Sequence, residues 1–130
     1  MAMFDESIAT DILALLLNDT AFSAVAATNI LLGTNAPTAT VNMTQLTGGS
    51  GYTTGGSSVT WNAVSAAATS NSNTLSWTNT GSEWILAGLE IWNSSATVRY
   101  LFGTWTGEPV DVLTGNTFQA AAAGIAVSLV

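Results

Sequence analysis

The chain reads as mainly β: an antiparallel β-sandwich or jelly roll of about eight strands behind one short N-terminal helix. Three observations predict this. From Val59 onward, apolar residues alternate with polar ones at a period of two, the pattern of half-buried strands. Turn clusters of Gly, Asn, Ser and Thr separate these runs at fairly regular intervals. Helical periodicity occurs at the start, where Ile8, Ile12, Leu15 and Leu16 fall on one face.

The elements follow in order. A helix is expected over residues 5–18, capped by Asp5 or Ser7, with Asp5, Glu6 and Asp11 near the positive end of its dipole. The segment Asn18–Thr20 ends it. Its apolar face either packs on the domain's own sheet or forms an arm that docks on a neighbouring subunit. The sandwich then occupies 24–130. Ala27–Thr34 is an apolar strand closed by "NAPT", and Val41–Leu46 reads as a short edge strand. Val59, Trp61 and Ala63 share one strand face, and Leu75 with Trp77 another. Glu83–Asn93 is so uniformly apolar that it reads as one central strand covered on both faces. Next, Val98, Tyr100 and Phe102 alternate against Arg99, Leu101 and Gly103. "VDVL", "TGNT" and "FQA" give strand, turn and strand, and Ile125, Val127 and Leu129 alternate in the last strand. With 130 residues and neither repeat nor linker, the chain is expected to be a single domain, 1–130.

The stretch "LTGGSGYTTGGSSVTW", Leu46–Trp61, holds five glycines. A phosphate-binding P-loop requires a terminal Lys and a following helix. Here the glycines lead into a strand and the chain contains no lysine. The stretch is read as an inter-strand connection, with Tyr52 anchoring it through its ring and hydroxyl.

Composition narrows the function. Cysteine and histidine are both absent, which removes thiolate chemistry, the usual general base and the commonest transition-metal ligand. Only 7% of residues are charged against 48% hydrophobic, so the polar surface is made of hydroxyls and amides. Such a surface meets a neighbour at little desolvation cost, which suits a life in an assembly. The lone cation, Arg99, cannot supply the phosphate contacts of a nucleic-acid protein or hold an anionic membrane. The opening "MAMFDESIATDILALLLNDT" lacks the basic segment of a signal peptide, and its apolar run is too short to span a bilayer. Synthesis in a cytoplasm is expected.

Beyond residue 20 the carboxylates are Glu83, Glu90, Glu108 and Asp111. Nothing in their spacing marks a glycosidase acid–base pair, and Glu83 and Glu108 lie in turn contexts as solvated groups. No calcium-loop motif is present. The sequons at Asn18, Asn42 and Asn93 are chance matches in a chain rich in Asn, Ser and Thr. No catalytic residue, cofactor or metal site is expected. Glu90 differs, because it lies within an apolar strand and burial there demands a partner. Arg99 on the following strand is the available cation, so a cross-strand Glu90–Arg99 pair is expected to fix register or specificity. Of the five tryptophans, Trp61 and Trp77 read as core, while Trp92 and Trp105 are candidates for a subunit-facing surface. Tyr52, Ile12 and Leu16 join them as candidate interface residues.

The order "ALLLNDTAF", "ATNILLGTNAPT", "TQLTGGSGYTTGGSSVTW", "SNSNTLSWTNTGSEWILAGLEIWN", "YLFGTWTGEPVDVLTGNTFQA" and "AGIAVSLV" spans almost the whole chain. It resembles a family of small phage virion proteins described as tail-fibre-like, some of which are similar to capsid cement or decoration proteins. The sequence departs from the family pattern at Thr53 and Thr54, where an arginine often follows the "GY", at Asn93, where aspartate is common, and at Asn116 in the "GDTF" slot. Each departure loses a charge. The resemblance implies a structural virion protein that binds the major capsid protein on the capsid surface. It also implies a homo-oligomer, with a trimer matching the local three-fold points of an icosahedral lattice. The alternative is a tail-fibre or receptor-binding module that recognises host surface glycans through tryptophan, Asn and Ser.

Overall fold

The computed structural model describes residues 3–18 and 27–128. The expected start of the sandwich at 24, the helix-ending Asp19–Thr20 and the final Leu129 lie outside the described residues. The protein is mainly β, an antiparallel β-sandwich with one N-terminal helix. Its elements are β1 (Met3–Phe4), α1 (Glu6–Asn18), β2 (Thr28–Gly33), β3 (Ser57–Val59), β4 (Ala68–Ser70) and β5 (Leu75–Thr78). They continue with β6 (Trp84–Leu86), β7 (Gly88–Asn93), β8 (Arg99–Thr104), β9 (Val110–Val112), β10 (Thr117–Ala120) and β11 (Ala126–Ser128).

Five strands form the main sheet in the order β1-β8-β7-β2-β3, and three two-stranded ribbons, β5–β10, β4–β11 and β6–β9, complete the structure. One face of the main sheet carries Ile30, Leu32, Leu89 and Ile91. These join Leu75, Trp77, Trp84, Leu86, Val112, Ala120 and Ile125 from the ribbons and their flanks in a single core. Alternation works as the sequence implies in β5, where Leu75 and Trp77 are buried. In β6 Trp84 and Leu86 are buried but Ile85 is exposed, so this part of the apolar run is covered on one face and not on both as expected. Trp77 stacks on Phe118 across the β5–β10 ribbon, and Trp105 meets Phe118 edge-on at 4.9 Å.

Three expectations need correction. The apolar run Glu83–Asn93 is two strands: β6 pairs with β9, whereas β7 pairs with β2 and β8. The chain changes partners at Ala87, whose N–H donates to the Gly33 carbonyl. A side chain at Gly88 would run into the Asn35 carbonyl and the Pro37 ring, so the backbone passes closer there than a central strand with side chains allows. Second, Val41–Leu46 is not an edge strand. It touches the sheet in a bridge between Gln45 and Gly33, and the rest of the segment crosses the outer face of the sheet as an irregular loop. Third, β8 does not alternate strictly. Ile91 pairs with Leu101 but Trp92 pairs with Arg99, so Tyr100 is an extra, bulged residue.

The glycine-rich stretch is a connection, and its glycines have specific work. Gly49 and Tyr52 exchange backbone hydrogen bonds around Ser50 and Gly51, both at positive φ, as the tightest hairpin turns require. Tyr52 is buried, and its hydroxyl accepts hydrogen bonds from the Leu32 N–H and the Gln45 amide. This anchors the turn to β2, and it removes Tyr52 from the candidate interface residues: a ring enclosed in the core offers no surface.

Candidate functional site

The bulge in β8 decides what the outer face of the main sheet displays. With strict alternation Arg99 and Phe102 would point to opposite faces. The extra residue Tyr100 brings both to the face that carries Glu90 and Trp92, because Glu90 pairs with Phe102 and Trp92 with Arg99. Arg99 then lies over the Phe102 ring at 5.1 Å from its centroid.

Glu90 and Arg99 stand together as an enclosed ion pair, 2.7 Å apart, with side chains 2% and 3% exposed. Arg99 is fully engaged. Its Nη1 donates to Glu90 Oε1 and the Val41 carbonyl, its Nη2 to the carbonyls of Thr38 and Ala39, and its Nε to Asp5 Oδ2. Glu90 is satisfied as well: Oε1 also accepts the Met43 N–H, and Oε2 accepts the indole N–H of Trp92. These bonds explain why Val41–Leu46 is not a strand. The charged pair takes the backbone groups of the 38–43 loop that a β-ladder would otherwise use. Met43 closes the contact, since its thioether occupies the space a side chain at Gly33 would need.

Asp5 is the third member of the cluster. Its Oδ1 accepts the Ser7 N–H and hydroxyl, so Asp5 rather than Ser7 is the N-cap of α1. Its Oδ2 faces Arg99. Burial pushes the Asp5 carboxyl up, but the bonds from Ser7 and Arg99 outweigh this and hold it below its ordinary value. One guanidinium thereby joins the helix cap, the crossing loop and two central strands. With every guanidinium donor used and Glu90 and Arg99 buried, the cluster acts as a structural rivet, and Asp5 stays partly exposed at a concavity of about 420 Å³ lined also by Ser7, Thr10, Thr40 and Asn42.

The remaining candidates separate. Trp92 and Trp105 are half-buried. The first is bound to Glu90, and the second donates its indole N–H to the Gly88 carbonyl and packs on Phe118. Neither is the open platform a subunit-facing surface requires, because each ring is committed within its own chain. On α1, Ile12 is half-buried and Leu16 is 71% exposed. Ile8 is the buried residue of the helix, whereas Leu13, Leu15 and Leu17 are exposed along with Leu16. The helix is therefore pinned at its first turn and presents leucines beyond it. Arg99 itself is enclosed, so no cationic side chain faces solvent.

Two groups escaped the sequence reading. Asp5 appeared there as a cap alone. Asn71 and Asn79 sit in serine- and threonine-rich turn segments but are wholly buried. Asn79 bonds the carbonyls of Ser82 and Val112 and the Gly81 N–H, and Asn71 bonds the carbonyls of Asn73 and Ala121 and the Ile125 N–H. A hydroxyl-rich cleft of about 360 Å³ is lined by Thr34, Thr44, Gln45, Thr47, Ser82 and Glu83. Among the described residues, no group of three or more acidic side chains is placed to hold a metal ion. Compared with known proteins, the chain matches no family model and none of the curated proteins.

Proposed function

We propose that this is a structural virion protein, a cement or decoration protein that binds the major capsid protein on the outside of a phage head. The observation that carries the reading is exposed apolar surface on a chain poor in charge: the leucines of α1 and, apart from them, Val41, Ile85 and Leu113. Exposed apolar area of this kind marks a docking surface. The ionic groups of the main sheet's outer face are committed to holding the helix cap and the crossing loop, which suits a rigid module that is itself a building part. The family resemblance supplies the setting, a capsid lattice, and the homo-oligomer, with a trimer on local three-fold points as its simplest form.

A stained gel of purified particles tests this. A cement protein stands at a copy number comparable to that of the major capsid protein. A band corresponding to a few copies per particle, or none, contradicts it. The second reading, a receptor-binding tail module, is favoured by the hydroxyl-lined cleft, whose residues suit a polyol. It stands second because Trp84, the aromatic residue lining that cleft, is 4% exposed and offers no ring face for a sugar to stack on.

A further inference from the structure

We propose that α1 of one copy seats its leucines in an apolar groove on a second copy, formed by Trp61, Val64, Leu101 and Val127. The proposal rests on the chain acting as a homo-oligomer, but not on a capsid being its seat.

The helix requires a cover. It is 13 residues long, a length at which helices without tertiary packing are marginal in water. Its packing ends near Ile8 and Ile12, while Leu13, Leu15, Leu16 and Leu17 are 56, 42, 71 and 76% exposed. Asp11 is its last charge, so the segment from Ile12 to Asn18 is neutral.

The groove is suited to such a segment. It measures about 290 Å³ between the β4–β11 ribbon, β8 and the chain after β3, with Asn62 and Thr69 completing its lining and no ionisable side chain among the described lining residues. Trp61 gives its indole N–H to the Thr28 hydroxyl, which leaves ring carbon to face the groove. Val64 at its rim is 74% exposed.

Two arguments assign the occupant to another copy. The first is placement. Asp5 binds Arg99 on the outer face of the main sheet, and the Glu6 N–H donates to the Ala39 carbonyl in the loop that covers that face. Leu101 pairs with Ile91 and points to the opposite, core-side face. A chain's own helix is thus pinned on one side of the sheet and the groove opens on the other. The second is charge. At a net charge of −7 with its one cation enclosed, two copies repel wherever their acidic surfaces meet. The neutral half of α1 and the neutral groove can meet without that penalty. A helix-to-groove contact closes either reciprocally in a two-fold dimer or head to tail in a ring such as a trimer.

The absence of native cysteine gives a clean test. Leu16→Cys and Val64→Cys are made in separate full-length chains, both at exposed positions, and circular dichroism checks that each folds. Mixed under mild oxidation, they are expected to give a disulfide-linked dimer of one chain of each kind, several-fold more abundant than either self-linked dimer. A Leu13→Glu change in the Leu16→Cys chain is expected to abolish the mixed product. Preferential self-linking of the Leu16→Cys chain would mean helix pairs with helix, and would overturn the proposal. So would absence of any linked dimer, or closure of the double Leu16→Cys/Val64→Cys chain on itself at monomer mass. If linking fails while the protein is abundant in particles, this contact falls and the cement reading stands.

Discussion

Arg99 bonds two carboxylates and three loop carbonyls, so its loss strands several buried groups at once. Arg99→Met is expected to cost roughly 3–5 kcal/mol in urea unfolding, the range for breaking one side of a buried pair. A loss under about 1 kcal/mol would show that the pair is of little consequence. Asp5 gives a pH signature. Its folded carboxyl lies below the ordinary 3.8, so its contribution is complete above the unfolded value and is lost as pH falls through the folded one. The stability gap between wild type and Asp5→Asn is therefore expected to be constant above about pH 5 and to shrink below about pH 4. A gap that is flat across this range would contradict the assignment. The Glu90–Arg99 pairing is readable from sequence because the chain offers a single cation and β8 follows β7. The share of Asp5 is not, because it lies 94 positions from Arg99 and its local role as a cap already accounts for it. The buried Asn71 and Asn79 are hidden for a related reason: asparagine among serines and threonines is also what an exposed turn looks like.

At the scale of elements, the helix, the alternation of β5 and the role of the glycine-rich connection follow from residue pattern. The break at Ala87 does not, because Trp84 to Trp92 stays largely apolar on both sides of it and a change of partner strand leaves no mark in hydropathy. The bulge at Tyr100 is equally silent, since one inserted residue only shifts the phase of an already mixed run. The glycine hairpin makes a prediction by contrast. Gly49 and Gly51 both have positive φ, but a side chain at Gly49 meets open space while one at Gly51 overlaps the Thr78 carbonyl. Gly49→Ala is expected to cost about 1–2 kcal/mol for the left-handed backbone alone. Gly51→Ala should lower the unfolding midpoint clearly further, and equal losses would mean the approach of the turn to β5 is not a constraint. In Asn79→Ala, two carbonyls and one N–H lose their partner in the interior, which is expected to cost at least about 2 kcal/mol. An unchanged urea midpoint would show that solvent replaces those bonds.

For the whole molecule, class and layering are legible because they depend on burial periodicity, which sequence carries directly. Which apolar residues stay exposed is legible only in part. Aromatic residues draw attention as anchors, yet Tyr52, Trp92 and Trp105 are committed inside the chain, and it is the plain leucines of α1 that remain uncovered. The distinction depends on which residues the fold consumes first. On the proposed cement role, an acidic chain whose one cationic side chain is enclosed binds a capsid shell through uncharged surface, not through charge. The direct measurement is co-sedimentation of the purified protein with capsid shells at low salt and at 1 M salt, where exposed charges are screened beyond roughly 3 Å. Saturable binding in stoichiometric proportion to the major capsid protein, retained at 1 M salt, is the expected result. Failure to sediment with shells, or release by salt alone, would contradict it.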